Sequence, residues 1–349
     1  MKIFFNHYIL FLRISGKSVK QEGDYMIQKK INEIETKIRS EYSNIAGIVI
    51  QKNGARVYEQ YFNGYTAKNA VHVCSVTKSI FSALIGIAVD KKYITTVNQH
   101  VLDFFPDYTV KTGEKTIEKI TIKNLLTMTA PYKYETEPYE KFFESRNPIY
   151  YALDLLGGDG PIGTFNYSAV GGTHILAGIL VKATGQSVLD FAVENLFSQL
   201  GISVPYSVVL HSKEEYLAYM NDRNSRGWVS DPQGFNMASW GLFLTPAEMA
   251  ATGQLYLNGG TWNNRQIVSG TWVGESTHEH SRCADPETAY GYLWWLTGRD
   301  SYAALGDGGN VIYINTKKKI VVAIASLLVP EPKDRIGLIK KYIEPAFED

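Results

Sequence analysis

Apolar residues recur at helical spacing over Ile27, Ile31, Ile34 and Ile38 among lysine, glutamate and arginine, which predicts an amphipathic helix with one buried stripe, suited to lie on a sheet. Strand-like patterning follows. Residues 45–52 predict a strand, Asn53-Gly54 is a strong two-residue hairpin signal, and residues 56–61 predict the returning strand. From residue 79 to about 257 helical patterns and loops prevail, with 125–129 and 175–183 as apolar helical stretches. Beyond residue 285 short strands return at 290–296, 310–314 and 320–327, the last two joined by the polar turn 315–319. Ile336, Ile339 and Ile343 then mark a closing helix. Strands, a long helical insertion and strands again predict an α+β fold with terminal helices that cover one sheet face. We expect one domain over residues 26–349, with an α/β subdomain at about 26–70 and 260–349 and a helical subdomain at about 71–259.

Residues 1–25 read as an N-terminal extension. Lys2 and the apolar stretch that follows resemble a signal peptide only superficially, since Asn6 and His7 interrupt the run, Arg13 ends it and no small-x-small site follows. Met26 is an alternative start. Thirty-five Lys and Arg balance thirty-five Asp and Glu, so no basic field exists to hold a phosphate backbone, and nucleic acid is not an expected partner. No apolar run has the length of a membrane span. Cys74 and Cys283 are too few for a disulfide framework or a cysteine zinc site, which points to the cytoplasm, with secretion as the alternative. Twenty-three tyrosines and six tryptophans imply either a large core or an aromatic-rich cleft.

The Gly-x-Ser-x-Gly signature of α/β-hydrolases is absent, and seven histidines occur without His-Glu-x-x-His spacing, so neither an ordinary esterase elbow nor a zinc hydrolase is indicated; no metal or cofactor is expected. What remains is Ser75-Val76-Thr77-Lys78. Residues three apart share a helix face, so Lys78 can exchange a proton with Ser75, and a serine in the first turn sets its N–H at the positive end of the helix dipole. About one such Ser-x-x-Lys pairing is expected by chance in a chain of this composition, so context has to decide. Two literal companions, Tyr42-Ser43-Asn44 and Lys111-Thr112-Gly113, stand in the wrong order and are set aside as decoys. Better placed are Tyr167, after a glycine-rich stretch and before a helix starting near Gly172, and Ala304-Leu305-Gly306, followed by Asp307 at the head of a strand.

The ordered segments Ser75-Val76-Thr77-Lys78-Ser79, 120–129, Gly163-Thr164-Phe165-Asn166-Tyr167-Ser168, 240–260 and 290–295 together resemble the serine β-lactamase and penicillin-binding superfamily. The likeness is to its class C-like branch, with the esterase and nylon-oligomer (aminohexanoate-dimer) hydrolases. It implies a β-lactamase/DD-peptidase-like fold, with an antiparallel sheet flanked by terminal helices. It further implies Ser75 as nucleophile, Lys78 as its proton partner, Tyr167 as general base and acid, and an oxyanion hole of the Ser75 and Asp307 backbone N–H groups. Gly306, Ala304, Ala169 and Tyr134 become expected substrate-binding positions. Ala169 stands where lactamases carry asparagine, and Ala304 replaces a lysine or histidine, which weakens the case for penicillins.

The expected activity is therefore hydrolysis of a small ester, amide or short peptide through an acyl-serine. A D,D-carboxypeptidase or β-lactamase, and a silent binding or sensor protein of the same fold, are the alternatives. Tyr132, Tyr134, Tyr139, Phe142 and Phe143, interleaved with Glu135, Glu137 and Glu140, read either as a lid or as a packed surface loop. Of Trp294 and Trp295, one is expected in the core and one at the pocket, and Cys74 reads as a small buried residue.

Overall fold

The computed structural model describes residues 26–284 and 287–348; the N-terminal extension expected at 1–25 lies outside them. The chain divides into two units, one of residues 26–43 with 333–348 and the other Asn44–Pro332. In the first, a helix over 26–41 carries buried Ile34 and Ile38, and Lys30 Nζ donates to the Pro345 carbonyl. Lys333 pairs with Glu41 at 3.2 Å, and the Arg335 guanidinium lies over the Tyr42 ring.

The second unit is built on an antiparallel sheet of eight strands among the described residues. In spatial order they are Ala55–Tyr61, Ile45–Lys52, Ile320–Ser326, Asn310–Asn315, Ser301–Gly306, Trp295–Gly298, Glu287–Tyr290 and Ser281–Ala284. The hairpin forms where the sequence predicts it, because Asn53 and Gly54 both take positive φ, 53° and 79°, as the turn requires. The strand expected over 290–296 breaks. Glu287–Tyr290 ends, Leu293 adopts a left-handed φ of 62°, the Gly291 N–H bonds to the Trp294 carbonyl, and a new strand starts at Trp295. Trp294, in that bend, is fully buried, while Trp295 opens the new strand half-buried, the division between core and pocket side that the sequence predicts for the pair.

Between the halves of the sheet the chain is mostly helical, and Val71–His72 pairs with Phe243–Leu244. Helix Pro246–Leu257 starts at a reciprocal cap, with Thr245 Oγ1 accepting the Glu248 N–H and Glu248 accepting the Thr245 N–H. It lies against the sheet, since a Cβ at Gly253 would stand 2.8 Å from Ile312 Cγ2. Helix Val76–Asp90 is buried from Val76 to Ala88, so it runs through the core. Among the described residues no single helix is long and apolar enough to cross a membrane, although Gly171–Thr184 with Val188–Leu200, bent by 77°, passes as a pair by length and composition.

Candidate active site

Ser75 stands at the turn between strand Val71–His72 and helix Val76–Asp90, as the residue that caps the helix. The turn is tight. Cys74 just before it holds φ at 50°, a strained region for a side-chain-bearing residue, and the N–H groups of Val76, Thr77 and Lys78 each bond three residues back. Lys78, one helical turn on and 2% exposed, donates from Nζ to Ser75 Oγ at 2.9 Å and to the Ser239 carbonyl at 3.3 Å. Burial of the lysine beside the hydroxyl is what a proton exchange between them needs.

Tyr167 reaches the same place from another part of the chain. Its ring centroid lies 5.4 Å from Lys78 Nζ and stacks on Trp295 at 5.9 Å, with Phe165 and Tyr290 packed behind. At 37% exposure it is open to solvent, whereas Trp294 is fully buried. Of the two adjacent tryptophans, then, one is core and the other supports the tyrosine. Trp240, beside the His72 ring, meets Phe143 and Tyr216 edge to face.

Strand Ser301–Gly306 brings its last residue against the start of the serine helix. A Cβ at Gly306 would overlap the Val73 carbonyl and lie 3.1 Å from the Ser75 nitrogen, so this approach requires glycine. Asp307 follows directly, exposed at the head of a short turn, Asp307–Gly309. Buried Asn310 ties this turn to the strand ahead of Ser75: its Nδ2 donates to the carbonyls of Asp307, at 2.8 Å, and His72, at 3.4 Å.

His72 underlies the serine turn. Nε2 accepts the Gly241 N–H at 2.9 Å, so in the neutral ring Nδ1 carries the hydrogen and faces Cys74 Sγ at 3.2 Å. Burial pushes its pKa down to about 3. The Cys74 thiol is pushed up to about 12, first by burial and then by the Asp307 carboxylate, so it is an inert neighbour of the serine.

The structure thus gathers Ser75, Lys78, Tyr167 and Gly306 with Asp307. Ala304 is fully buried and offers no surface to the cleft, while Ala169 is half-buried, with its N–H held by Glu137. Tyr134 turns inward, donating from its hydroxyl toward Ser168 Oγ at 3.4 Å and stacking on Tyr132. The decoys are elsewhere occupied: Lys111 pairs with Asp154, and Asn44 Nδ2 bonds the carbonyls of Gly308 and Leu327, both at 2.7 Å. Sequence reasoning missed His72, Asn310 and the Ser239 carbonyl. Their roles depend on pairings across more than 150 residues, and no local pattern marks them. Among the described residues, no group of three or more His, Cys, Asp or Glu gathers at metal-holding distances.

Known proteins share sequence and fold with this chain. The chain is 24% identical over 310 residues to a 6-aminohexanoate-dimer hydrolase of Paenarthrobacter ureafaciens, covering 82% of this chain and 74% of that protein. Its fold is similar to that of a penicillin-binding protein homologue from Caulobacter crescentus, at 16% identity and a TM-score of 0.67, covering 87% of this chain and 92% of the other. A family VIII carboxylesterase shares the fold at 16% identity and a TM-score of 0.69, covering 91% and 97%. Residues 39–343 match the Beta-lactamase family, and the chain belongs to that family.

Proposed function

We propose that the protein is a serine hydrolase that cleaves a small ester or amide through a covalent acyl-Ser75. The observation that carries this reading is the 2.9 Å hydrogen bond from buried Lys78 to Ser75 Oγ at a helix start. Ser75 Oγ attacks the substrate carbonyl carbon, and its proton passes to the Lys78 and Tyr167 pair. Negative charge then gathers on the carbonyl oxygen, where the N–H groups of Ser75 and Asp307 receive it. Tyr167 returns the proton to the leaving alcohol or amine and later takes one from the water that releases the acid.

Substrate choice follows from what the cleft offers. Ala304 and Ala169 supply neither a cation for a carboxylate nor a side-chain amide for a peptide group, which disfavours penicillins and peptidoglycan stems. Aromatic walls of Tyr167, Trp295, Trp240 and Phe143 suit an apolar acyl or leaving group. The 24% identity to a hydrolase of 6-aminohexanoate dimers makes a linear amide a natural member of the test panel. Hydrolysis of short-chain esters, linear amides, D-peptides and β-lactams should be compared for the wild type and Ser75→Ala. Turnover of esters or linear amides that vanishes in the variant is expected. Turnover surviving within a few-fold of wild type would remove Ser75 from the mechanism, and preferred β-lactams would move the protein to the penicillin-directed reading.

A further inference from the structure

The Tyr167 ring is exposed but stacks on Trp295 and Phe165, contacts that hold the plane of the ring and leave the segment carrying it to be fixed from elsewhere. Its position is set by the backbone on either side. Ahead of it, the Asn166 N–H bonds to the Met128 carbonyl at 2.7 Å. Behind it, one carboxylate collects the next residues. Glu137 Oε2 accepts the Ala169 N–H at 2.7 Å, while Oε1 accepts the Val170 N–H at 3.1 Å, the Gly171 N–H at 2.6 Å and the Ser168 hydroxyl at 3.0 Å. Ser168, fully buried, also accepts the Gly172 N–H at 2.9 Å through Oγ. The Val170, Gly171 and Gly172 donors are N–H groups at the start of helix Gly171–Thr184, where the dipole favours a negative charge.

Resting on the proposed role of Tyr167, we infer that Glu137 is the positioning residue for the tyrosine hydroxyl. It acts by clamping residues 168–171 from the neighbouring loop that carries Tyr132 and Tyr134. That loop is therefore a fixed buttress of the site, joined to the tyrosine segment through Glu137, with Gly172 kept free of a side chain because a Cβ there would overlap the Tyr132 hydroxyl. A carboxylate suits all four donors because it has only acceptors to offer. A glutamine keeps one oxygen and presents an amide N–H₂ where the Ala169 N–H or its neighbours need an acceptor. Displacing Tyr167 by a fraction of an ångström should slow proton transfer and leave substrate binding nearly unchanged.

The test is steady-state kinetics on a short-chain ester, with kcat normalised to active sites titrated by a fluorophosphonate. Glu137→Gln is expected to lower kcat roughly 10- to 100-fold with KM within about three-fold, the scale for a misplaced catalytic group. In a Tyr167→Phe background the same change should cost less than about two-fold, since the group it positions is already gone. A purely structural role would lower the titratable fraction or the melting temperature and would carry over in full to the double variant. Normal kcat per site in Glu137→Gln, or a fully additive double variant, would overturn the inference. If Glu137→Gln does not fold, Ser168→Ala, which removes one member of the clamp, is read by the same two criteria. Should Tyr167→Phe itself retain wild-type kcat, it is the proposed role of Tyr167 that fails; a slow Tyr167→Phe beside a normal Glu137→Gln removes Glu137 alone.

Discussion

Tyr167→Phe separates the chemistry of one hydroxyl from everything the ring packs against. The phenyl ring keeps the stack on Trp295, so the melting temperature should hold while kcat on a short-chain ester falls by roughly two to four orders of magnitude. An unchanged kcat would take Tyr167 out of the chemistry. His72 makes a different, pH-dependent claim. Its folded pKa is depressed from 6.5 to about 3 by burial, and the neutral ring keeps the acceptor that holds the Gly241 N–H. The unfolded chain binds a proton below pH 6.5 that the folded chain refuses, so this contribution is complete above that value and fades as pH falls. About 2 kcal/mol should be lost between pH 7 and pH 5. Thermal melts at both values should show a smaller loss for His72→Gln than for wild type, and equal losses would mean that other groups set the acid sensitivity.

At the scale of elements, the site depends on a strand ending hard against a helix start. Gly306→Ala would drive a methyl group into the Val73 carbonyl and push strand Ser301–Gly306 off the Ser75 turn. We expect kcat/KM to drop by about 100-fold or more, while Gly274→Ala, in open space on helix Gly270–Ser276, leaves it unchanged. Full activity in Gly306→Ala would show that the close approach is not part of the site. Such approaches are what the sequence leaves out. The Asn53-Gly54 hairpin was legible because its turn chemistry is local, and the serine helix was legible because Ser75 and Lys78 lie one turn apart. Strand Ser301–Gly306 showed no alternation, since its first four residues are all buried. The break at Leu293 has no sequence signal of its own, as leucine seldom takes positive φ. Helix Pro246–Leu257 carries a clear capping box, but only the packing of Gly253 on the sheet strands reveals where it belongs.

Over the whole molecule, several short motifs in a fixed order pointed to the family more securely than any one of them, and residues 39–343 match it. Composition narrowed the partners without choosing a substrate. The aromatic excess went to both destinations: Trp228, Trp294 and Tyr313 fill the core, while Tyr167 and Phe143 remain exposed. The proposed nucleophile unites these levels, because strand Ser301–Gly306 and helix Val76–Asp90 meet at Ser75 and the Tyr167 ring lies over its partner Lys78. Intact-mass and peptide mass spectrometry after treatment with a fluorophosphonate test it most directly. A single adduct on Ser75 that is absent from Ser75→Ala is expected. A wild-type protein that stays unlabelled, or that carries the adduct on another residue, would contradict the assignment.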